Sequence, residues 1–160
     1  MARPASKLPY DEAGIVASAS VGIRSGCGGR TAGPKRRVYR EIEMGQLTTH
    51  VLDTAQGRPA AAMRIRLYRK RGADYAALKD ISTNADGRCD SPLLESEAFS
   101  AGLYRLVFSA GAYFAAQGVD LPQPPFVDEV TLDFGVADAG AHYHVPLLVS
   151  PYSYSTYRGS

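Results

Sequence analysis

From His142 to Ser160 the chain reads HYHVPLLVSPYSYSTYRGS, two runs of strand-like alternation joined at one Ser150-Pro151 corner. A strand points successive side chains to opposite faces. In the first run His142, His144, Pro146 and Leu148 therefore share one face, and Tyr143, Val145, Leu147 and Val149 share the other. One face is aliphatic core, and its opposite carries two imidazoles. In the second run Ser153, Ser155 and Tyr157 fall together, against Tyr152, Tyr154, Thr156 and Arg158. The segment is predicted to be a β-hairpin, and the rest of the chain reads as its scaffold.

That scaffold is also dominated by strands. Leu47-Thr-Thr-His-Val-Leu-Asp53 places Thr48, His50 and Leu52 on one face, and Asp53 to Pro59 supplies the Gly and Pro of a connecting loop. Met63 to Tyr68 alternates strictly, with Met63, Ile65 and Leu67 inward and Arg64, Arg66 and Tyr68 outward, as a half-exposed antiparallel strand requires. A third strand is predicted over Tyr75 to Thr83. Asn84-Ala-Asp-Gly87 then signals a turn that holds Arg88 at its end. Ser91 to Ala98 reads as a short helical or irregular link. Gly102 to Phe108 is a further strand with Tyr104, Leu106 and Phe108 on one side, and Gly111 to Gln117 a brief helix closed by Gly118. After the Pro-rich stretch Leu121 to Pro125, Asp128 to Phe134 turns Val130, Leu132 and Phe134 inward. Seven or eight short strands with one small helix predict an all-β, two-sheet antiparallel sandwich. Its edges and its imidazole-bearing outer face favour an oligomer.

A chain of 160 residues has room for one domain with a real core. The net charge of +2 hides an asymmetry: residues 1–46 hold eight Lys/Arg against four Asp/Glu, leaving ten against twelve for the remainder. The basic surplus thus belongs to an arm rich in Ser, Ala and Gly, with no sustained period and few aliphatic residues, which is expected to be disordered. Met44 stands as an alternative start, with 47–160 as the folded domain. Because Lys35-Arg-Arg37 lies in a Gly/Pro-rich stretch and is not interleaved with aromatics, no nucleic-acid partner is expected. No apolar run is long enough for a bilayer, and the N-terminus lacks the order of a secretory signal, so a cytoplasmic protein with no membrane partner is expected. Cys27 and Cys89 read as free thiols.

The chain holds three histidines, and His50 is the one outside the hairpin. Their concentration in two strands points to a shared site. One neutral imidazole can take a proton from water while a second gives one to a leaving nitrogen, each role typically worth about 10²- to 10⁴-fold in rate. The planar Arg88 fork suits an electron-rich ring or a developing oxyanion. No nucleophile elbow surrounds Ser150 or Ser155, which leaves activated water as the simpler reading. A three-histidine zinc site from His50, His142 and His144 is the competing use of the same side chains.

Taken together, Leu47-Thr-Thr-His-Val-Leu-Asp53, Gly57-Arg-Pro59, Thr83-Asn-Ala-Asp-Gly-Arg88, His142-Tyr-His-Val-Pro-Leu-Leu-Val-Ser-Pro151 and Tyr157-Arg-Gly-Ser160 resemble the 5-hydroxyisourate hydrolases, the transthyretin-related enzymes of urate breakdown. The resemblance spans residues 47–160. It implies a transthyretin-like sandwich, a homotetramer with sites at the dimer–dimer interface, and opening of 5-hydroxyisourate to 2-oxo-4-hydroxy-4-carboxy-5-ureidoimidazoline with no metal or organic cofactor. It also implies His50, Arg88, His144 and Tyr157 as catalytic residues; strand parity sets Leu52, Pro146 and Ser155 on the same faces as these, so they are expected to line the substrate together with Arg88 and Tyr157. Either His50 or His144 activates the water. In the hormone carrier transthyretin the positions matching His50, His144 and Tyr157 look like lysine, threonine and threonine, so this chain keeps the enzyme's pattern; a carrier without catalysis is the alternative. His142 is given an orienting or structural role, and Arg158 the anchoring of the terminus.

Overall fold

A computed structural model describes residues 45–159 of the chain. The expectations of a disordered arm and of a start at Met44 concern residues 1–44 and lie outside the described residues. Gln46, grouped with the arm on composition, is already the first residue of a strand.

In chain order the strands are β1 (Gln46–Thr48), β2 (Val51–Asp53), β3 (Arg58–Pro59), β4 (Arg64–Arg71), β5 (Asp74–Ser82) and β6 (Leu94–Glu95). A 3-10 turn, Ser96–Ala98, leads to β7 (Gly102–Ser109) and the helix α1 (Ala110–Ala116). The chain closes with β8 (Glu129–Val136), β9 (His142–His144), β10 (Leu147–Ser150) and β11 (Ser153–Thr156). One layer is the antiparallel sheet β5-β4-β7-β8. The other is built from β6-β1-β9 and β11-β10-β2-β3.

Those last two sheets form one surface, because β1 and β2 lie end to end, as do β9 and β10. β1 pairs in parallel with β9, Thr48 facing His144, and β2 with β10, Leu52 facing Leu148. Across the gap the ladder continues: the Val145 amide donates to the Thr48 carbonyl and the Leu147 amide to the His50 carbonyl, both at 2.9 Å. The register is therefore unbroken, and the eleven segments reduce to seven continuous strand lines plus the two-residue β3 and β6. The loop expected over Asp53 to Pro59 contains β3, and the link expected over Ser91 to Ala98 contains β6 and the 3-10 turn. Two-residue pairings are made by neighbours rather than by local pattern, so alternation does not reveal them.

Inward faces of both layers meet in one core. Leu47, Val51, Leu147 and Val149 from the first pack with Ile65, Leu67, Leu106, Phe108 and Val130 from the second. Burying one such side chain stabilises by about 1.5–3 kcal/mol. A one-residue slip would turn every one of them outward, so the core fixes which face His50 and His144 occupy. The helix is tied to the first layer by fully buried Asp53, which accepts hydrogen bonds from the Tyr113 hydroxyl (3.0 Å) and from the Ala55 and Gln56 amides (3.0 Å each). Among the described residues no helix is long and apolar enough to cross a membrane.

Candidate active site

The parallel register lines up three rows on the outer face of the first layer. Thr48, His144 and Gly159 form one row, the last two through an antiparallel bridge. Leu52, Leu148 and Ser155 form another. Between them the ladder sets Pro146 beside His50, while Tyr157, opposite Pro146 in sequence register, lies past the end of β11 and lines the cavity between β8 and the tail. His50, His144, Pro146, Leu52 and Ser155 thus fall on one face by register.

Pro146 explains why β11 stops before Tyr157. His144 and Gly159 exchange both backbone hydrogen bonds (3.2 and 2.8 Å), so the next reciprocal pair along the ladder falls on residues 146 and 157. Proline has no amide hydrogen to give there. The Pro146 carbonyl is taken instead by the Thr156 hydroxyl at 2.8 Å, and the chain resumes pairing at Gly159. A Cβ on Gly159 would lie 3.1 Å from the His144 ring, so a glycine there lets the tail close against the imidazole. Arg158 is exposed, and its guanidinium sits over the Tyr143 ring, 4.4 Å from the centroid, a contact that holds the tail to β9.

Arg88 arrives from the other side. Its turn is held by Asn84, whose side-chain oxygen accepts from the Asp86 and Arg88 amides (3.0 and 3.1 Å) and whose own amide donates to the Arg88 carbonyl (2.7 Å). Gly87 adopts φ +68°, and a Cβ on it would stand 2.4 Å from the Val51 carbonyl oxygen. Only glycine tolerates both conditions. The turn then bridges Arg88 to His50 in antiparallel fashion. Arg88 is exposed and makes no ion pair among the described residues. A small hollow of about 210 Å³ lies between it and Thr48, lined also by Thr49, Cys89 and Asp90.

The surroundings of both half-buried imidazoles disfavour their charged forms. Burial, and then the positive charge of Arg88, push His50 below the ordinary imidazole value; the Asp86 backbone carbonyl and carboxylate oppose this without reversing it. His144 is pushed down by burial, Arg88, His142 and His50, and nothing opposes the shift. A guanidinium without an ion pair beside two imidazoles can bind an electron-rich planar solute, accept a proton from water and return one to a leaving group.

One contributor went unassigned in the sequence. The Thr48 hydroxyl oxygen is 2.9 Å from His142 Nε2 and 2.9 Å from His144 Nδ1. Its placement on the His50 face was legible, but its contact with both rings depends on a strand almost a hundred residues away. A second cavity, about 430 Å³, lies between β8 and β11 and is lined by Tyr143, Val145, Thr156, Tyr157 and Arg158. It offers no free base, since Asp133 at its rim is paired to Arg105 at 2.7 Å. Among the described residues no group of three or more His, Cys, Asp or Glu side chains is arranged to hold a metal ion.

Comparison with known proteins agrees with the fold. Residues 47–159 match the model of the HIUase/Transthyretin family. A Ralstonia nicotianae protein named 5-hydroxyisourate hydrolase is 62% identical over 117 residues, covering 73% of this chain and 100% of that protein. One from Pseudomonas aeruginosa with the same name is 58% identical over 121 residues, covering 76% and 96%. Among solved structures, (S)-allantoin synthase is similar with a TM-score of 0.70 at 46% identity; the match covers 73% of this chain but only 44% of that longer one. Klebsiella pneumoniae 5-hydroxyisourate hydrolase gives 0.61 at 34%, covering 73% and 100%. Sea bream transthyretin in complex with thyroxine gives 0.65 at 28%, covering 71% and 94%.

Proposed function

Because the chain belongs to the HIUase/Transthyretin family, we propose that it hydrolyses 5-hydroxyisourate on the histidine-bearing face of its first layer. The observation that carries the reading is the Arg88 guanidinium, without an ion pair among the described residues, bridged to His50 and near His144, two imidazoles whose surroundings disfavour the charged form. Relatives that share the activity's name match nearly their whole length to this chain.

In this mechanism a neutral imidazole, His50 or His144, removes a proton from water as its oxygen attacks the ring carbonyl of the cyclic amide. Arg88 holds the planar substrate and stabilises the tetrahedral oxyanion. The other histidine delivers a proton to the ring nitrogen as the carbon–nitrogen bond breaks. One water is consumed, and the ring opens to the carboxylate of 2-oxo-4-hydroxy-4-carboxy-5-ureidoimidazoline. Tyr157 donates its phenol to the substrate, while Ser155, Leu52 and Pro146 bound the floor on which the ring rests.

The working assembly is proposed to be a homotetramer. β8 and β11 end their respective sheets and flank the same cavity, leaving two open edges for a second copy to pair with. A face as flat as the histidine rows gains the enclosure that catalysis needs when another pair covers it.

Decay of freshly generated 5-hydroxyisourate, followed by absorbance, tests the activity directly. Acceleration supports the enzyme. Tight thyroxine binding with no acceleration would favour the carrier, to which the similarity is lower at 28%.

A further inference from the structure

The hydrolase reading leaves open how His144 presents the right nitrogen at the right time. The Thr48 hydroxyl bears on that question, because it bonds two imidazoles at once: His142 Nε2 and His144 Nδ1, each at 2.9 Å. Proton counting constrains the trio. Two hydrogen bonds need two hydrogens, and a hydroxyl supplies one. At least one of the two ring nitrogens must therefore carry a proton and donate it to Thr48 Oγ1.

Two arrangements of His144 satisfy the count. If His142 Nε2–H donates to Thr48 and Thr48 donates to His144 Nδ1, then His144 carries its proton on Nε2 and has no lone pair to offer a water. If His144 Nδ1–H donates to Thr48, Nε2 is bare and basic, whichever way the hydroxyl hydrogen then turns. Nδ1 is occupied by Thr48 in both cases, and Nε2 takes no hydrogen bond from the described residues.

We propose that Thr48 is a positioning residue that accepts from His144 Nδ1–H, fixes the ring with Nε2 bare, and turns its own hydrogen toward His142 Nε2. His144 is thereby the base and His50 the acid. The charged and titratable groups facing His144 agree with that division: Arg88 from the turn, His50 from the strand line and His142 from its own strand all disfavour a resting positive charge on it. His50 is also lowered by burial and Arg88, but of the two it alone has the Asp86 carbonyl and carboxylate opposing the shift. His142 is exposed, its ring centroid 6.4 Å from that of His144, and water can satisfy whichever of its nitrogens Thr48 does not. When His144 takes a proton at Nε2, the Nδ1–H bond to Thr48 strengthens and the linked hydroxyl reports the charge to His142.

Nitrogen-15 NMR of the imidazoles in the full-length wild-type protein reads the tautomer without recourse to activity. At pH values above the titration of both rings, His144 is expected with its hydrogen on Nδ1. A hydrogen on Nε2 in that state overturns the proposal and leaves the hydrolase reading standing. In kinetics, Thr48→Val keeps the shape and removes the hydroxyl; kcat should fall by about tenfold, a fraction of the general-base range, with KM little changed, and His144 should lose its single tautomer. Thr48→Ser should restore both. Unchanged kcat and tautomer in Thr48→Val, or a folded Thr48→Ser that fails to restore them, rejects the role. If Thr48→Val does not fold, the wild-type spectrum and the Thr48→Ser variant still decide.

Discussion

Arg88 and His50 face one another across an antiparallel bridge that fastens the Asn84–Gly87 turn to the first strand line. The bridge brings a fixed positive charge to an imidazole, and Arg88 makes no ion pair among the described residues. In the proposed mechanism both, together with His144, are indispensable. His50→Ala, Arg88→Ala and His144→Ala should each lose at least about tenfold in turnover, below the usual acid–base range, with melting temperatures near wild type. Arg88→Lys keeps the charge but not the fork, so KM should rise. Wild-type decay of 5-hydroxyisourate in any two of the alanine variants removes the assignment.

The pH dependence follows from the same surroundings. His50 and His144 are both shifted below the ordinary imidazole value of about 6.5. The histidine that serves as base should stay available through neutrality, so the acid limb of kcat/KM should lie beneath that value, and a decline on the alkaline side should follow as the proton-donating histidine loses its proton. Stability moves in the same direction as the acid limb: between about 6.5 and the lowered folded values the unfolded chain binds more protons, so stability present above 6.5 is lost as pH falls. An acid limb of kcat/KM lying above the ordinary value would contradict the description of the site.

Gly87 is the backbone condition for Arg88. With φ at +68° and the Val51 carbonyl 2.4 Å from any added Cβ, Gly87→Ala pays about 1–2 kcal/mol for the left-handed conformation and must also move the turn. The melting temperature and the turnover should fall together. A variant with wild-type values for both would show that the turn does not position the arginine.

Tyr113 offers a contrast between stability and chemistry. Its hydroxyl bonds buried Asp53 on the inward side of the layer. Tyr113→Phe leaves a carboxylate oxygen without that donor and should cost about 1–3 kcal/mol in denaturant unfolding, with kcat unchanged. A loss of kcat at constant stability would tie the helix to the site in a way these contacts do not.

Much of this was legible in the chain because period-two alternation is strict where one face is buried. The faces assigned to Met63, Ile65 and Leu67, and to Tyr143, Val145, Leu147 and Val149, are the buried ones. The Asn84–Gly87 turn carried its own chemistry in Asn84 and Gly87. What stayed hidden depends on partners distant in sequence. The gap at Thr49–His50 mirrors one at Val145–Pro146, and β3 and β6 exist only because β2 and β1 lie beside them. The Thr48 contact with two rings is of this kind too. Its face could be read locally, while its partners could not.

The seam joining the first strand line to the histidine-bearing one links segments almost a hundred positions apart, and the two candidate proton carriers sit on opposite sides of it. His50 and Arg88 can assemble from early, neighbouring chain; His144 joins them only when the final segment docks. Under the proposed mechanism turnover therefore requires the final segment to be docked, because that segment brings His144 to the face that carries His50.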